Sequence, residues 1–351
     1  MNQTANYTIG IDLGDRQHTV CVLRQSGEIE QELTVRNTRE DLLGLARFKG
    51  STAVMETGTH SPWVSRYLQQ MGLKVIVANA RKVRAISKSD RKNDKSDARM
   101  LARLGRADPE LLFPIRHRSE QCQRQLLTIK VRDAVVRTRV NQMNSIRFLL
   151  KSLGVQVPSN CSARRFAVRC REELDPLDLE AILPCLMLVE HCNDQVEELD
   201  QEIERACKEA HPETERLRQI PGVGPVTALC FVLTLESPER FPHARDVGAY
   251  LGLVPRQDQS GNTDKQLRIT KAGNKQLRSL LVNCSHYILG RYGPECDLRN
   301  SGLRICERGG SIAKKKAVIA TARKLAITML ALWRSGEDYK PTAQPTFPEA
   351  A

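Results

Sequence analysis

The sequence predicts an α/β part followed by a helical part. Three observations carry this. Short β-branched runs alternate with turn signals and short helical patterns over residues 7–78. From residue 119, apolar residues recur at 3-4 spacing over long stretches. A Gly/Pro turn at 221–224 then opens a further series of helical segments.

Residues 7–14, 18–23 and 29–36 read as three consecutive strands, broken at Gly14-Asp15 and Ser26-Gly27. A short helix at 39–48, a strand at 52–56, a helix at 61–71 and a strand at 74–78 follow, and a helix spans 94–106. Three strands, then alternating helices and strands, is the order of an RNase H-like (RuvC-like) domain, here 1–110. Residues 111–215 form a helical or coiled-coil segment. Leu126, Ile129, Val136, Val140, Met143 and Leu150 make one stripe over 119–155, and Val189, Val196, Leu199, Ile203 and Ala206 make a second over 186–210. Residues 156–176, with Pro158, Asn160 and Pro176, read as a linker. The two stripes suit an antiparallel arm, a dimer contact or ordinary core helices. Residues 216–338 form a mainly helical domain with helices at 225–235, 243–251, 273–289 and 313–333, and 339–351 a Pro/Thr-rich disordered tail.

The 351 residues carry 54 Lys and Arg against 41 Asp and Glu, a net charge of +13. That excess favours a polyanionic partner, nucleic acid in the first instance. It is clustered: residues 81–106 hold ten Lys or Arg, and 264–278 hold five. Eleven Cys without a C-x-x-C pair argue against a disulfide framework or a zinc finger, and for a reducing compartment. With no signal pattern and no long apolar run, a bacterial cytoplasm is the expected location. Aromatic residues are only 4%, too few for an extended single-strand stacking platform.

Four acids stand out. Asp12 ends the apolar run of the first strand, Glu56 ends the fourth, and Asp94 and Asp97 share one face at a helix start. Taken singly, Asp94 or Asp97 reads as a helix-start charge that complements the dipole. Together the four describe an oxygen-only cage suited to Mg²⁺ or Mn²⁺, the arrangement that two-metal phosphoryl transfer uses. Among many Lys and Arg, such a cage points to phosphodiester chemistry. Arg91, Lys92 and Lys95 beside it are candidate nucleic-acid contacts.

The second candidate region is C-terminal. Arg-Gln-Ile-Pro-Gly-Val-Gly-Pro (218–225) has a helix-hairpin-helix turn sequence, in which Gly222 and Gly224 let backbone N–H groups approach a phosphate. Ser260-Gly261 falls on a polar loop ringed by Arg256, Lys265, Arg268, Lys271, Lys275 and Arg278. On local chemistry alone, Ser260 reads as a turn residue with no nearby His to act as its base.

These motifs together resemble the transposases of the insertion-sequence 110 family (IS110/IS1111 type) and the related Piv-type DNA invertases, over nearly the whole chain. The carriers are Asp12, Glu56, Asp94, Asp97 and Ala98 in the first half. In the second they are Pro-Gly-Val-Gly (221–224), Tyr-Leu-Gly-Leu-Val-Pro (250–255), Ser-Gly (260–261) and Arg-Ile-Thr-Lys-Ala-Gly-Asn with Leu-Arg (268–274, 277–278). The Glu56-to-Asp94 separation is short for the family, as a trimmed loop would make it. The resemblance implies a site-specific DNA recombinase. Its RuvC-like carboxylates would bind Mg²⁺, and its serine, carried over onto Ser260, would form a covalent phosphoserine link to DNA. The partners implied are donor and target DNA, a structured non-coding bridge RNA, and further copies of the chain as a dimer or tetramer. The two sites would have to act together across domains or subunits. The competing readings are a RuvC-like Holliday-junction nuclease without a serine step, a non-catalytic nucleic-acid-binding protein, and a sugar-kinase-like ATPase, which lacks its second Gly-rich phosphate loop here.

Overall fold

A computed structural model describes residues 7–83, 93–157, 159–260 and 263–341, with backbone only at 257–260 and 263–266. The chain divides into two compact units, Met1–Arg118 and Ser119–Ala351.

The first unit is built on a five-stranded sheet: β1 (Thr8–Asp12), β2 (Gln17–Leu23), β3 (Ile29–Arg36), β4 (Thr52–Glu56) and β5 (Lys74–Ala78), in the order β3-β2-β1-β4-β5. β1 pairs antiparallel with β2 and parallel with β4; β2–β3 is antiparallel and β4–β5 parallel. A helical turn α1 (Arg39–Leu42) leads toward β4, and α2 (Ser61–Gln70) connects β4 to β5. Alternation sorts the faces. Ile9, Ile11, Val20, Val22, Ala53 and Met55 pack with Val64 and Leu68 of α2 on one side. Cys21 and Leu23 pack with Ala98 and Ala102 of α3 (Asp94–Ala107) on the other.

α3 is amphipathic in the strict sense: its buried residues Ala98, Leu101, Ala102 and Gly105 fall at i, i+3, i+4 and i+7. Asn93 caps it by accepting the Lys95 N–H at 3.1 Å. Two glycines set how closely it approaches the sheet. A Cβ on Gly10 of β1 would lie 2.0 Å from the Ala98 carbonyl oxygen and 2.6 Å from the Ala102 nitrogen. A Cβ on Gly105 would lie 2.4 Å from a Val54 methyl. Helix and sheet therefore meet at backbone distance.

The second unit is helical. α4 (Glu120–Lys151) and α6 (Pro176–Glu209) run antiparallel, as the descending pairs Thr128–Glu202, Arg132–Asp200 and Arg139–Asn193 show. The shorter α5 (Ala163–Glu173) closes their far end, where Met143, Ile146 and Leu150 pack with Phe166, Cys170, Ile182 and Leu186. The linker expected at 156–176 thus contains a helix. Ser162 caps it, and Phe166, Ala167 and Cys170 supply a buried stripe that its Arg-rich composition masks. α6 begins ten residues before the expected 186, because Pro176 occupies the first helical turn, where proline is favoured, behind the Asp175 cap. The stripe expected on α4 is mixed: Leu126, Ile129, Met143 and Leu150 are buried within the chain, whereas Val140 is 44% exposed.

The remaining elements are α7 (Glu213–Arg218), α8 (Pro225–Leu235), α9 (Asp246–Tyr250), the strands β6 (Pro255–Ser260) and β7 (Thr263–Ile269), α10 (Lys275–Leu289), α11 (Asp297–Cys306) and α12 (Gly310–Ser335). α8 is buried from Thr227 to Leu235, as a helix apolar on every side must be. Around it pack Leu126, Ile129, Ile203, Leu217, Leu277, Leu281, Leu325 and Met329. The antiparallel β6–β7 hairpin and α11 were not expected from the sequence. Of the expected tail, Tyr339 donates its N–H to Gln219 Oε1 at 2.7 Å and Pro341 accepts the Asp297 N–H at 2.9 Å; the residues after 341 lie outside the described residues.

Candidate active site: a carboxylate-bearing sheet face and a serine hairpin

Asp12 and Glu56 are the last residues of adjacent parallel strands; the register pairs Gly10 with Val54 and Ile11 with Met55. Their facing follows from α3. Gly10 and Val54 both face that helix, since the Cβ positions just described meet Ala98 and Gly105. Side chains two residues apart share a sheet face, so Asp12 and Glu56 both lie on the α3 side. Asp97 sits in the first turn of α3, next to Ala98, the residue against Gly10. It is buried, only 8% exposed, whereas Asp94 is exposed. Asp12 and Glu56 thus share one face at the C-terminal ends of β1 and β4, Asp97 lies in the first turn of the helix packed on that face, and Asp94 is exposed one turn before it.

The donor set contains only carboxylate oxygens, which fits a hard divalent cation. Among the described residues, no group of three or more His, Cys, Asp or Glu forms a ready-made metal cluster. Asp12, Glu56 and Asp97 each already interact with other groups. Lys95 is exposed on α3; Arg91 and Lys92, the other predicted contacts here, lie outside the described residues.

A network that the sequence reading missed holds the loops that follow Asp12 and Glu56. After β4, the Thr57 N–H donates to the Ala78 carbonyl at 3.0 Å, and Thr57 Oγ1 accepts the Ala80 N–H at 3.2 Å. Ser61 Oγ donates to the Gly58 carbonyl at 2.9 Å and accepts the Gly58 N–H at 3.0 Å. His117 Nε2 stands 3.0 Å from the same oxygen. With the Ser61 proton on the Gly58 carbonyl, Ser61 would accept there from a His117 protonated on Nε2. Burial, then Arg66 and Arg118, lowers the proton affinity of His117. His60 joins the two loops: its Nε2 lies 3.0 Å from Asp15 Oδ1, three residues after Asp12, and its Nδ1 accepts the Trp63 indole N–H at 3.3 Å. Asn37 Nδ2 donates to the Asp15 carbonyl at 3.0 Å. The Trp63 bond leaves Nε2 to donate to the carboxylate in the neutral ring.

In the second unit, Ser260 is the last residue of β6, opposite Thr263 of β7. The foot of this hairpin is pinned by two left-handed glycines. A Cβ on Gly252 would lie 2.1 Å from the Ala272 nitrogen, and one on Gly273 2.1 Å from the Tyr250 carbonyl oxygen. Gly252 and Gly273 have φ of 69° and 68°. The segments 250–255 and 268–274 are therefore interlocked backbone to backbone, with Thr270 N–H on the Val254 carbonyl at 2.9 Å. Asn274 caps α10, accepting the Gln276 and Leu277 N–H groups at 2.9 and 3.1 Å, and donates to Thr234 Oγ1 at 3.1 Å.

The predicted cations divide by role. Arg256 and Arg268 are exposed at the hairpin foot, and Lys271 and Lys275 are exposed beyond it. Arg278 donates Nη1 to the Leu251 and Ala272 carbonyls at 3.0 and 2.6 Å, so it supports the interlock. Gly222 (φ 80°) packs against α10, where a Cβ would lie 2.9 Å from Tyr287 Cδ1. Gly224, the N-cap of α8, has open space beside it.

Comparison with known proteins identifies the family of the chain. Residues 9–154 match the family model for the DEDD transposase of IS110, described as "Transposase". Residues 214–298 match "Transposase IS116/IS110/IS902 family". The chain is 29% identical over 346 residues to the transposase for insertion sequence element IS1111A of Coxiella burnetii, covering 95% of this chain and 91% of that protein. It is 30% identical over 290 residues to the transposase for element IS1328 of Yersinia enterocolitica, covering 81% and 84%. It is 24% identical over 349 residues to the pilin gene-inverting protein of Moraxella bovis, covering 94% and 97%. The chain belongs to the IS110 family of insertion-sequence transposases, enzymes that act on DNA.

Proposed function

We propose that the protein is an RNA-guided, site-specific DNA recombinase with a RuvC-like first unit, working in the cytoplasm on the donor and target DNA of its element. The observation that supports this reading is the packing of α3, whose first turn carries Asp97, on Gly10 of the strand that ends in Asp12. Asp12, Glu56, Asp94 and Asp97 would hold Mg²⁺ or Mn²⁺, which when bound supplies charge neutralisation at the reacting phosphate. The buried Asp97 orients through the helix start, and the His60–Asp15 and Ser61–His117 bonds hold the loops that follow Asp12 and Glu56.

Ser260 is the nucleophile in this reading. Its Oγ bonds to phosphorus as the phosphorus–sugar oxygen bond breaks; the serine gives up its proton and the sugar oxygen leaves as a hydroxyl. Arg256, Arg268, Lys271 and Lys275 would offset the charge at the transferring phosphate. The serine ester conserves the broken bond, so rejoining needs no nucleotide triphosphate. A structured bridge RNA from the element would choose the sites, which suits a basic chain low in aromatic residues. The protein would work as a homo-oligomer, with the exposed apolar residues of α4 and α6 as contacts.

The test is recombination between plasmid-borne donor and target sites. Asp12→Asn and Asp97→Asn should abolish it and leave the melting temperature unchanged or raised, because removing one of several clustered carboxylates relieves repulsion. Normal recombination by either variant removes the carboxylates from the reaction.

A further inference from the structure

We propose that the corner where α11 turns into α12 is a docking surface for the phosphate backbone of duplex DNA. Such a surface follows from the family's action on DNA alone, without the serine or RNA steps.

Five exposed cations meet at this corner: Arg304 and Arg308 from the end of α11 and the connection after it, and Lys314, Lys315 and Lys316 near the start of α12. One acid, Glu307, accompanies them. Among the described residues none of the six is in an ion pair; Arg304 makes only a 3.4 Å bond to the Asn300 carbonyl of its own helix. The long arm is different. Arg124, Arg132, Arg137, Arg164, Arg169 and Arg171 each face a carboxylate there. The arm cancels its own field, and the corner does not. Uncompensated cations on a fixed frame make an electrostatic footprint for a polyanion.

The frame is fixed. Ala313 and Ala317 are buried on either side of the three lysines, which turns the lysines outward. A Cβ on Gly302 of α11 would lie 2.5 Å from Thr321 Oγ1 and from a Leu289 methyl, so the helices cross at close range. Lys324 Nζ donates to Ser301 Oγ at 2.7 Å across the same pair. Three consecutive lysines fan across a broad arc of the helix at about 100° each. Gly309 and Gly310, both left-handed (φ 81° and 76°), form the turn, and a Cβ at either would meet nothing within 4 Å.

The chemistry favours the backbone of a duplex. Lysine acts as a point charge on a flexible stem, a common contact to phosphate oxygens. Residues 302–318 contain no aromatic side chain for stacking unpaired bases and no Asn or Gln for pairing with base edges.

The experiment is fluorescence anisotropy of a labelled random-sequence duplex titrated with the full-length protein over a salt series. Each phosphate contact contributes about 0.9 to the slope of log affinity against log salt. The triple variant Lys314→Gln, Lys315→Gln, Lys316→Gln should flatten that slope by about 2 to 3. Arg304→Gln with Arg308→Gln should flatten it independently by up to about 2. Both should keep the parent melting temperature, and if the triple variant does not fold, the arginine pair decides. Unchanged slopes overturn the proposal. So does a flattened slope with structured RNA alone, which would assign the corner to RNA. Ser260→Ala protein should retain the full slope, so loss of the catalytic reading leaves this result readable.

Discussion

Gly10 of β1 and Ala98 of α3 touch through their backbones: a methyl group on Gly10 would stand 2.0 Å from the Ala98 carbonyl oxygen. That contact packs the first turn of α3, which carries the buried Asp97, on the sheet face of Asp12 and Glu56. Gly10→Ala must push the helix off the sheet, and overpacking of this kind costs about 3 kcal/mol or more where backbone is the obstacle. The expected outcome is a large fall in thermal stability of the first unit together with loss of activity. Gly44→Ala, where nothing lies within 4 Å of the new Cβ, should be nearly neutral. Equal melting temperatures for the two variants would show that α3 packs otherwise.

The His60–Asp15 pair should matter to the reaction and little to stability. The Asp15 side chain is 94% exposed, and exposed pairs contribute roughly 0–1 kcal/mol. It nevertheless links the loops following Asp12 and Glu56. His60→Ala is expected to lower recombination by about 10- to 100-fold, as removal of residues that orient ligands does, with the loss partly recovered at high Mg²⁺. A melting temperature that falls while activity holds would make the pair a plain loop clasp.

How much of this was legible follows from where the signals lie. Asp12 and Glu56 were readable because each closes an apolar run, and Asp97 because the stripe Ala98, Leu101, Ala102 and Gly105 behind it has helical spacing. The antiparallel pairing of α4 and α6 was readable as a possibility from their stripes. His60–Asp15 and Ser61–His117 were not, since partners 45 and 56 residues apart leave no local pattern. The β6–β7 hairpin escaped because Arg-Gln-Asp-Gln-Ser is polar at every position and shows no alternation. α5 escaped because Pro158 and Asn160 precede it and six of its eleven residues are Arg or Glu around a narrow apolar stripe.

Acid should weaken the first unit through His117. Burial, with Arg66 and Arg118, holds its folded-state pKa below the ordinary 6.5, so the unfolded chain binds the proton more readily. Stability is then fully present above about pH 6.5 and is lost as pH falls below it toward the folded value. The slope of melting temperature against pH in that range should be shallower for His117→Gln, whose amide can still donate to Ser61. An identical slope would assign the acid sensitivity elsewhere; burial also lowers His18.

The α4 arm tests the oligomeric reading. Val131 and Val140 are 49% and 44% exposed. Placing Glu at both should leave the helices intact by circular dichroism and reduce the mass measured by light scattering. If the mass stays at that of the parent oligomer, the subunits meet through another surface. If the parent is itself a monomer, the oligomeric reading fails outright.

The most direct test of the account concerns Ser260. Labelled substrate DNA is incubated with protein, guide RNA and Mg²⁺, then resolved by denaturing electrophoresis, and any protein–DNA adduct is mapped by peptide analysis. The account predicts an adduct on Ser260 that is absent from Ser260→Ala, although that variant still binds DNA and RNA. An adduct that persists in Ser260→Ala, or maps to another residue, would contradict it and leave a carboxylate nuclease as the better description.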